Sequence, residues 1–149
     1  MDQMMLQSPI GPLTLTASET ALTEIAFGDT RQEPVDASSA VLAQAATELT
    51  EYFEGRRRSF SVPLAPEGTA FQKEVWAALL EIPYGSTATY GDIAARIGRP
   101  KAAIAVGQAN RRNPIPIIIP CHRVIGTRGQ LVGYAGGLEI KRKLLAIEK

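Results

Sequence analysis

Cysteine and histidine are almost absent from this chain of 149 residues: Cys121 is the only thiol and His122 the only imidazole. A single cysteine excludes an intramolecular disulfide, and one residue of each kind is too few to cage a zinc ion, so no metal is expected. Long apolar runs are missing as well. Nothing approaches the roughly 18 consecutive apolar residues of a membrane span. The acidic start Met1-Asp2-Gln3 lacks the basic flank and apolar stretch of a secretory signal, so a cytoplasmic protein with no membrane partner is expected. Net charge is also close to nil, with 16 Lys+Arg against 15 Asp+Glu, which excludes nucleic-acid binding by bulk charge alone. What is present, 45% hydrophobic and 21% charged residues, is an ordinary globular composition, enough for one domain or two small ones.

The neutral total conceals an uneven distribution. Residues 1–66 carry four basic and nine acidic side chains, residues 67–98 two and four, and residues 99–149 ten and two. The basic C-terminal third suits phosphate contacts, which the acidic N-terminal half would repel. Taken alone, the run Lys141-Arg142-Lys143 fits the solvated face of a terminal helix equally well.

Residues 6–16 alternate around the turn Ser8-Pro9-Ile10-Gly11-Pro12, and residues 21–27 form a second short apolar run, a pattern that predicts a β-hairpin. Residues 38–53 place Val41, Leu42, Ala45, Leu49, Tyr52 and Phe53 at helical spacing with Gly55 as a stop, and residues 59–64 read as another strand. Pro63, Pro66 and Gly68 mark a boundary at residues 65–69, which divides the chain into 1–66 and 67–149. Beyond it, residues 69–80 predict a helix capped by Thr69, with Phe71, Val75, Trp76, Leu79 and Leu80 inward. Residues 89–97 predict a short helix stopped at Gly98-Arg99, and Pro100 begins another that runs to about Arg111. The pair reads as a helix-turn-helix. Its second member is rich in small side chains, which fits core packing or close approach to a DNA groove.

The most informative stretch is Asn113-Pro-Ile-Pro-Ile-Ile-Ile-Pro-Cys-His-Arg-Val-Ile-Gly126. Ile117, Ile118 and Ile119 read as a short strand buried on both faces, ended by Pro120. Within a strand Cys121 and His122 would point to opposite faces, but a turn at Pro120 can bring both toward one cavity. The only thiol beside the only imidazole then has the makings of an activated nucleophile. A buried inert cysteine beside a backbone-bonded histidine is the competing reading.

Ile118-Ile119-Pro120-Cys121-His122-Arg123-Val124 resembles the active-site signature of the O6-alkylguanine-DNA alkyltransferases, also called methylated-DNA-protein-cysteine methyltransferases. The resemblance covers residues 69–149. It runs through Ile82-Pro83-Tyr84-Gly85, Thr89-Tyr90, Gly98-Arg99-Pro100-Lys101-Ala102-Ala103, Asn113-Pro114, Gly133-Tyr134-Ala135-Gly136-Gly137 and Lys143-Leu144-Leu145-Ala146-Ile147-Glu148. It implies an α/β (α+β) fold: an N-terminal antiparallel β-sheet with one helix, ribonuclease H-like, followed by a mostly helical, winged-helix-like domain with a helix-turn-helix. It also implies DNA repair by direct damage reversal. The alkyl group of O6-alkylguanine, or of O4-alkylthymine, in double-stranded DNA passes once and irreversibly to the protein, which acts as a monomer without a cofactor.

By the same resemblance, Cys121 matches the alkyl acceptor, His122 the base that reaches the thiol through a water, and Glu148 the carboxylate that orients the imidazole. Tyr90 matches a proton donor to the leaving guanine, and Asn113 a hinge between the second helix and the active-site loop. Tyr134, Gly133, Val124 and Ile119 match the pocket for the flipped base. Thr89, Tyr90, Ala102, Ala103, Gly107, Arg111, Arg112 and Arg123 match the DNA-facing set, with the second helix in the minor groove. Ile104 departs from the pattern, because family members usually carry an arginine finger there. Isoleucine can wedge between bases but adds neither charge nor a hydrogen bond to the orphaned base, which implies weaker extrusion and weaker DNA affinity. Two other functions compete: a Cys-His hydrolase that turns over repeatedly, and a non-enzymatic lesion sensor of the alkyltransferase-like kind, whose members replace the reactive cysteine.

Overall fold

The computed structural model describes residues 1–32, 39–131, 134 and 136–149. These form two compact units, Met1–Glu67 and Gly68–Lys149. In the first, β1 (Asp2–Leu6), β2 (Leu13–Ala17) and β3 (Leu22–Phe27) make an antiparallel sheet in the order β1-β2-β3. The expected hairpin is therefore two-thirds of a meander: residues 21–27 add a third strand, paired to β2 from Leu13↔Phe27 to Ala17↔Leu22. Leu13, Leu15, Ala17, Leu22 and Ile25 are buried from this sheet. Val41, Leu42, Ala45, Leu49 and Tyr52 are buried from α1 (Ala40–Phe53), which packs against it. Ser39 begins α1 by accepting the Leu42 amide on its hydroxyl; Ser38, read as the first helical residue, lies outside the described residues.

In the second unit, α2 (Ala70–Leu79) starts with a reciprocal capping box between Thr69 and Gln72, and α3 (Tyr90–Arg96) with one between Thr89 and Asp92. Trp76 is core, its indole N–H donating to the Ala109 carbonyl at 2.9 Å. Leu80, expected inward, is 49% exposed, because it follows the last helical residue and turns away from the face that buries Val75, Trp76 and Leu79. Gly98 ends α3 in the left-handed region at φ 77°, which glycine adopts without steric cost. The next helix does not begin at Pro100. Pro100 and Lys101 occupy a turn closed by the Ala102 amide on the Arg99 carbonyl (2.9 Å), and α4 runs Ala103–Arg111. Helices α2, α3 and α4 pack on one another.

Residues 117–119 are buried, as expected, but they are not a strand. The Ile119 amide bonds back to the Ile115 carbonyl at 3.0 Å and Ile117 has φ 76°, so residues 115–119 form a tight turn. Pro114 and Pro116 have no N–H to give to a ladder, which removes the strand that three apolar residues alone would suggest. A single 3-10 turn (Cys121–Arg123) follows, then β5 (Val124–Ile125), parallel to β4 (Ala88–Thr89), and finally α5 (Leu138–Ile147).

Residues 59–64 of the first unit, expected as a strand, make only one bridge, between Leu64 and Leu22. A carboxylate takes the amides instead. Glu48 of α1, only 3% exposed, accepts from the amides of Ser61 (2.9 Å) and Val62 (3.1 Å), the Ser61 hydroxyl (2.7 Å) and the Gln44 side-chain amide (3.0 Å). Burial raises the Glu48 pKa, but these bonds outweigh it and hold the group below its ordinary value of 4.5. A depressed folded pKa contributes stability above that ordinary value and loses it as pH falls through the folded one. Glu48→Ala leaves buried donors unmatched and is expected to cost about 2–3 kcal/mol. Urea denaturation checks this, as a lowered midpoint with an unchanged slope.

Candidate active site

Pro120 and the 3-10 turn after it curl the backbone that carries Cys121, His122 and Arg123. The Cys121 amide bonds the Ile119 carbonyl (2.7 Å) and the Arg123 amide the Pro120 carbonyl (3.0 Å), so Cys121, His122 and Arg123 leave the backbone in a curl and all are buried. Asn113 holds the preceding turn: its side-chain N–H donates to the Ile119 carbonyl at 2.8 Å while its oxygen accepts from the Ile115 amide at 2.9 Å. Asn113, Lys141 and Tyr134 each pull the thiol pKa down. Burial dominates all three and pushes the Cys121 thiol up to about 11. Near pH 7 the thiol is therefore protonated.

His122 is fully buried and meets Glu148, which caps the end of α5, through Nε2 and Oε2 at 2.6 Å. A carboxylate there assigns the proton to Nε2. Nδ1, which has no hydrogen-bond partner among the described residues, then keeps its lone pair. Burial lowers the His122 pKa below its ordinary 6.5, Glu148 opposes that, and Arg123 and Lys141 reinforce it. The imidazole is therefore neutral near pH 7 and able to accept a proton.

Two basic residues sit elsewhere than the sequence suggested. Arg123, expected to face DNA, is 6% exposed: Nε donates to Glu148 Oε1 (2.7 Å), Nη2 to Glu148 Oε2 (3.0 Å) and Nη1 to the Ile82 carbonyl (2.7 Å). Its guanidinium also lies 5.7 Å from the ring centre of Tyr84. Lys141, read with a solvated run, is fully buried and donates to the Val124 carbonyl at 2.5 Å, whereas Lys143 is exposed beside Glu139. Lys141 and Asn110, whose side chain donates to the Cys121 carbonyl at 3.4 Å, were not singled out as site residues. Lys141 could have been found, because Lys141, Leu144 and Glu148 recur at three- and four-residue spacing along one face of α5.

The other expected residues fall into two groups. Ile119 and Val124 are buried on either side of Cys121, Tyr134 helps lower the thiol pKa, and Gly133 lies outside the described residues. Thr89 caps α3, Tyr90 opens it, and Ala102 and Ala103 lead into α4. The Tyr90 hydroxyl is raised by burial and by the Cys121 charge, against Arg111, so it stays protonated. A methyl group added at Gly107 would meet the Tyr90 ring at an ordinary 3.7 Å, so this packing alone does not demand glycine. Ile104 is 82% exposed on α4, with Gln108, Arg111 and Arg112 also exposed.

A lone buried thiol followed in the chain by a buried histidine, in a unit that carries a helix-turn-helix, is the arrangement of a protein that joins thiol chemistry to a DNA-binding type of fold. Residues 70–149 match the model of the 6-O-methylguanine DNA methyltransferase DNA binding domain, and residues 3–66 that of the same enzyme's ribonuclease-like domain. The chain belongs to this family. It is 54% identical over 147 residues to a methylated-DNA--protein-cysteine methyltransferase of Methanosarcina acetivorans, covering 95% of this chain and 94% of that protein. Identity to a protein of the same name from Mycobacterium leprae is 49%, over 97% and 90% of the two chains. The crystal structure of Mycobacterium tuberculosis OGT in complex with DNA superposes with a TM-score of 0.92 at 47% identity, over 100% of this chain and 93% of that one.

Lys141 lowers the thiol pKa from across the pocket. Lys141→Met is expected to move the Cys121 pKa above about 11. Thiolate absorbance titrated against a Cys121→Ser blank checks this, and an unchanged value would remove Lys141 from the account.

Proposed function

We propose that this chain repairs O6-alkylguanine in double-stranded DNA by taking the alkyl group onto Cys121, once per molecule, and O4-alkylthymine by the same route. The observation that carries this reading is a lone buried thiol beside a neutral histidine whose Nδ1 has no partner among the described residues, in a chain of this family. Residues 67–149 do the DNA binding and the chemistry, and residues 1–66 form the N-terminal α/β domain. No cofactor takes part, and the protein works as a monomer in the cytoplasm. No helix among the described residues is long and apolar enough to cross a membrane.

The O6 atom is inaccessible inside a base stack, so the nucleotide is flipped at a cost of a few kcal/mol. Helix α4 enters the minor groove, Arg111 and Arg112 contact phosphate, and Ile104 fills the space the nucleotide leaves. The thiol proton passes through a water to His122 Nδ1, and Glu148 stabilises the imidazolium. The thiolate then attacks the alkyl carbon. The S–C bond forms as the C–O6 bond breaks, and the leaving guanine takes a proton at N3 from Tyr90. The sulfur remains alkylated, which makes the reaction stoichiometric.

Intact mass after incubation with a duplex containing O6-methylguanine tests the reading. The expected result is a gain of about 14 Da, saturating at one per chain and absent in Cys121→Ala. DNA binding without a mass gain would make the protein a lesion sensor instead. Ile104→Arg is expected to speed transfer from duplex several-fold and to steepen the salt dependence of binding by about one charge; no gain in rate would discard the idea that Ile104 limits extrusion.

A further inference from the structure

The Glu148 carboxylate serves two partners, and the second is not needed merely to orient a histidine. We infer that Arg123 is a positioning residue for the thiol-activating relay: by clamping Glu148 at two points it withdraws the carboxylate's charge from His122, and so keeps the imidazole neutral with Nδ1 ready to accept the Cys121 proton. The geometry is specific. Nε and Nη2 of Arg123 grip both oxygens of Glu148, at 2.7 and 3.0 Å, while His122 donates to one of them at 2.6 Å. The third bond, to the Ile82 carbonyl, and the Tyr84 ring fix the guanidinium so that it cannot swing off the carboxylate. Tyr84 in turn donates to the Ile147 carbonyl at 3.1 Å, tying the end of α5 to the same assembly.

A buried carboxylate facing a histidine favours the imidazolium, and an imidazolium has no lone pair for the thiol's proton. The charged groups that act on His122 are Arg123 from its own turn and Lys141 and Glu148 from α5. Helix α2 also packs on this turn, but its ionisable residues Lys73 and Glu74 are exposed. Among the described residues, Glu148 is the anion bonded to the imidazole, and Arg123 is the cation bonded directly to that anion. Removing that cation raises the pH at which His122 protonates.

The inference rests on Cys121 as the nucleophile, and its test avoids DNA so that failure here is separate from failure of repair. Iodomethane is the probe. The Cys121 thiolate displaces iodide, the S–C bond forming as the C–I bond breaks, while the thiol proton goes to His122; intact mass follows the rate across pH. The wild type is expected to lose rate only below the ordinary histidine range. In Arg123→Gln the acid limb should move upward by about one unit, a rate loss that approaches tenfold only below the wild-type limb, with rates within about twofold above pH 8. Arg123→Lys keeps the charge, and its limb should stay near that of the wild type, which covers the case in which the glutamine variant does not fold. A loss by the same factor at every pH, a lysine limb displaced upward by a full unit, or no methylation at any pH would overturn the inference.

Discussion

Glu148 is a buried carboxylate that receives three hydrogen bonds, one from His122 and two from Arg123. Much of the second unit is arranged to make that possible. Its backbone position comes from the last turn of α5, His122 and Arg123 come from the 3-10 turn after Pro120, and Arg123 is steadied by Ile82 and Tyr84 from the segment after α2. Burying a charge is costly unless it is paired, and removing one member of such a pair costs about 3–5 kcal/mol. The network is better understood as a device that fixes protonation states than as a source of net stability.

The same burial that makes the network sensitive protects the nucleophile. A thiol raised to about 11 resists adventitious oxidation and alkylation while it waits, since the thiolate is the reactive form. On the proposed reading, activation then depends on a base that is neutral at the working pH. The residues that favour the thiolate, Asn113, Lys141 and Tyr134, each come from a different segment of the chain, so the site is assembled only when the whole unit is folded.

Where local chemistry and periodicity agreed, the elements were legible in the sequence. Helices α1, α2 and α3 each announce themselves by a Ser or Thr cap before an apolar period, and Cys121 and His122 stand out as the only residues of their kinds. Where one side chain overrode a local pattern, the reading failed. Residues 59–64 look like a strand, but Glu48 takes the amides of Ser61 and Val62 from another element, a long-range contact that no window of sequence contains. Ile117-Ile118-Ile119 is equally consistent in sequence with a buried strand and a buried turn; the left-handed Ile117 and the bond from the Ile119 amide to the Ile115 carbonyl make it a turn. The resemblance set Arg123 toward DNA, and Lys141 stood in a charge run that fits a solvated helix face. Their burial follows from partners, Glu148 and the Val124 carbonyl, that are distant along the chain.

A single histidine makes the central claim directly measurable. With the ring nitrogens labelled with nitrogen-15, His122 contributes the only imidazole signals in the protein, and their shifts distinguish the two neutral tautomers from the imidazolium. The account predicts a neutral ring near pH 7 with the proton on Nε2, held toward Glu148, and protonation only below the ordinary value of 6.5. An imidazolium at neutral pH, or a proton on Nδ1, would contradict it, because neither form can take the proton from Cys121.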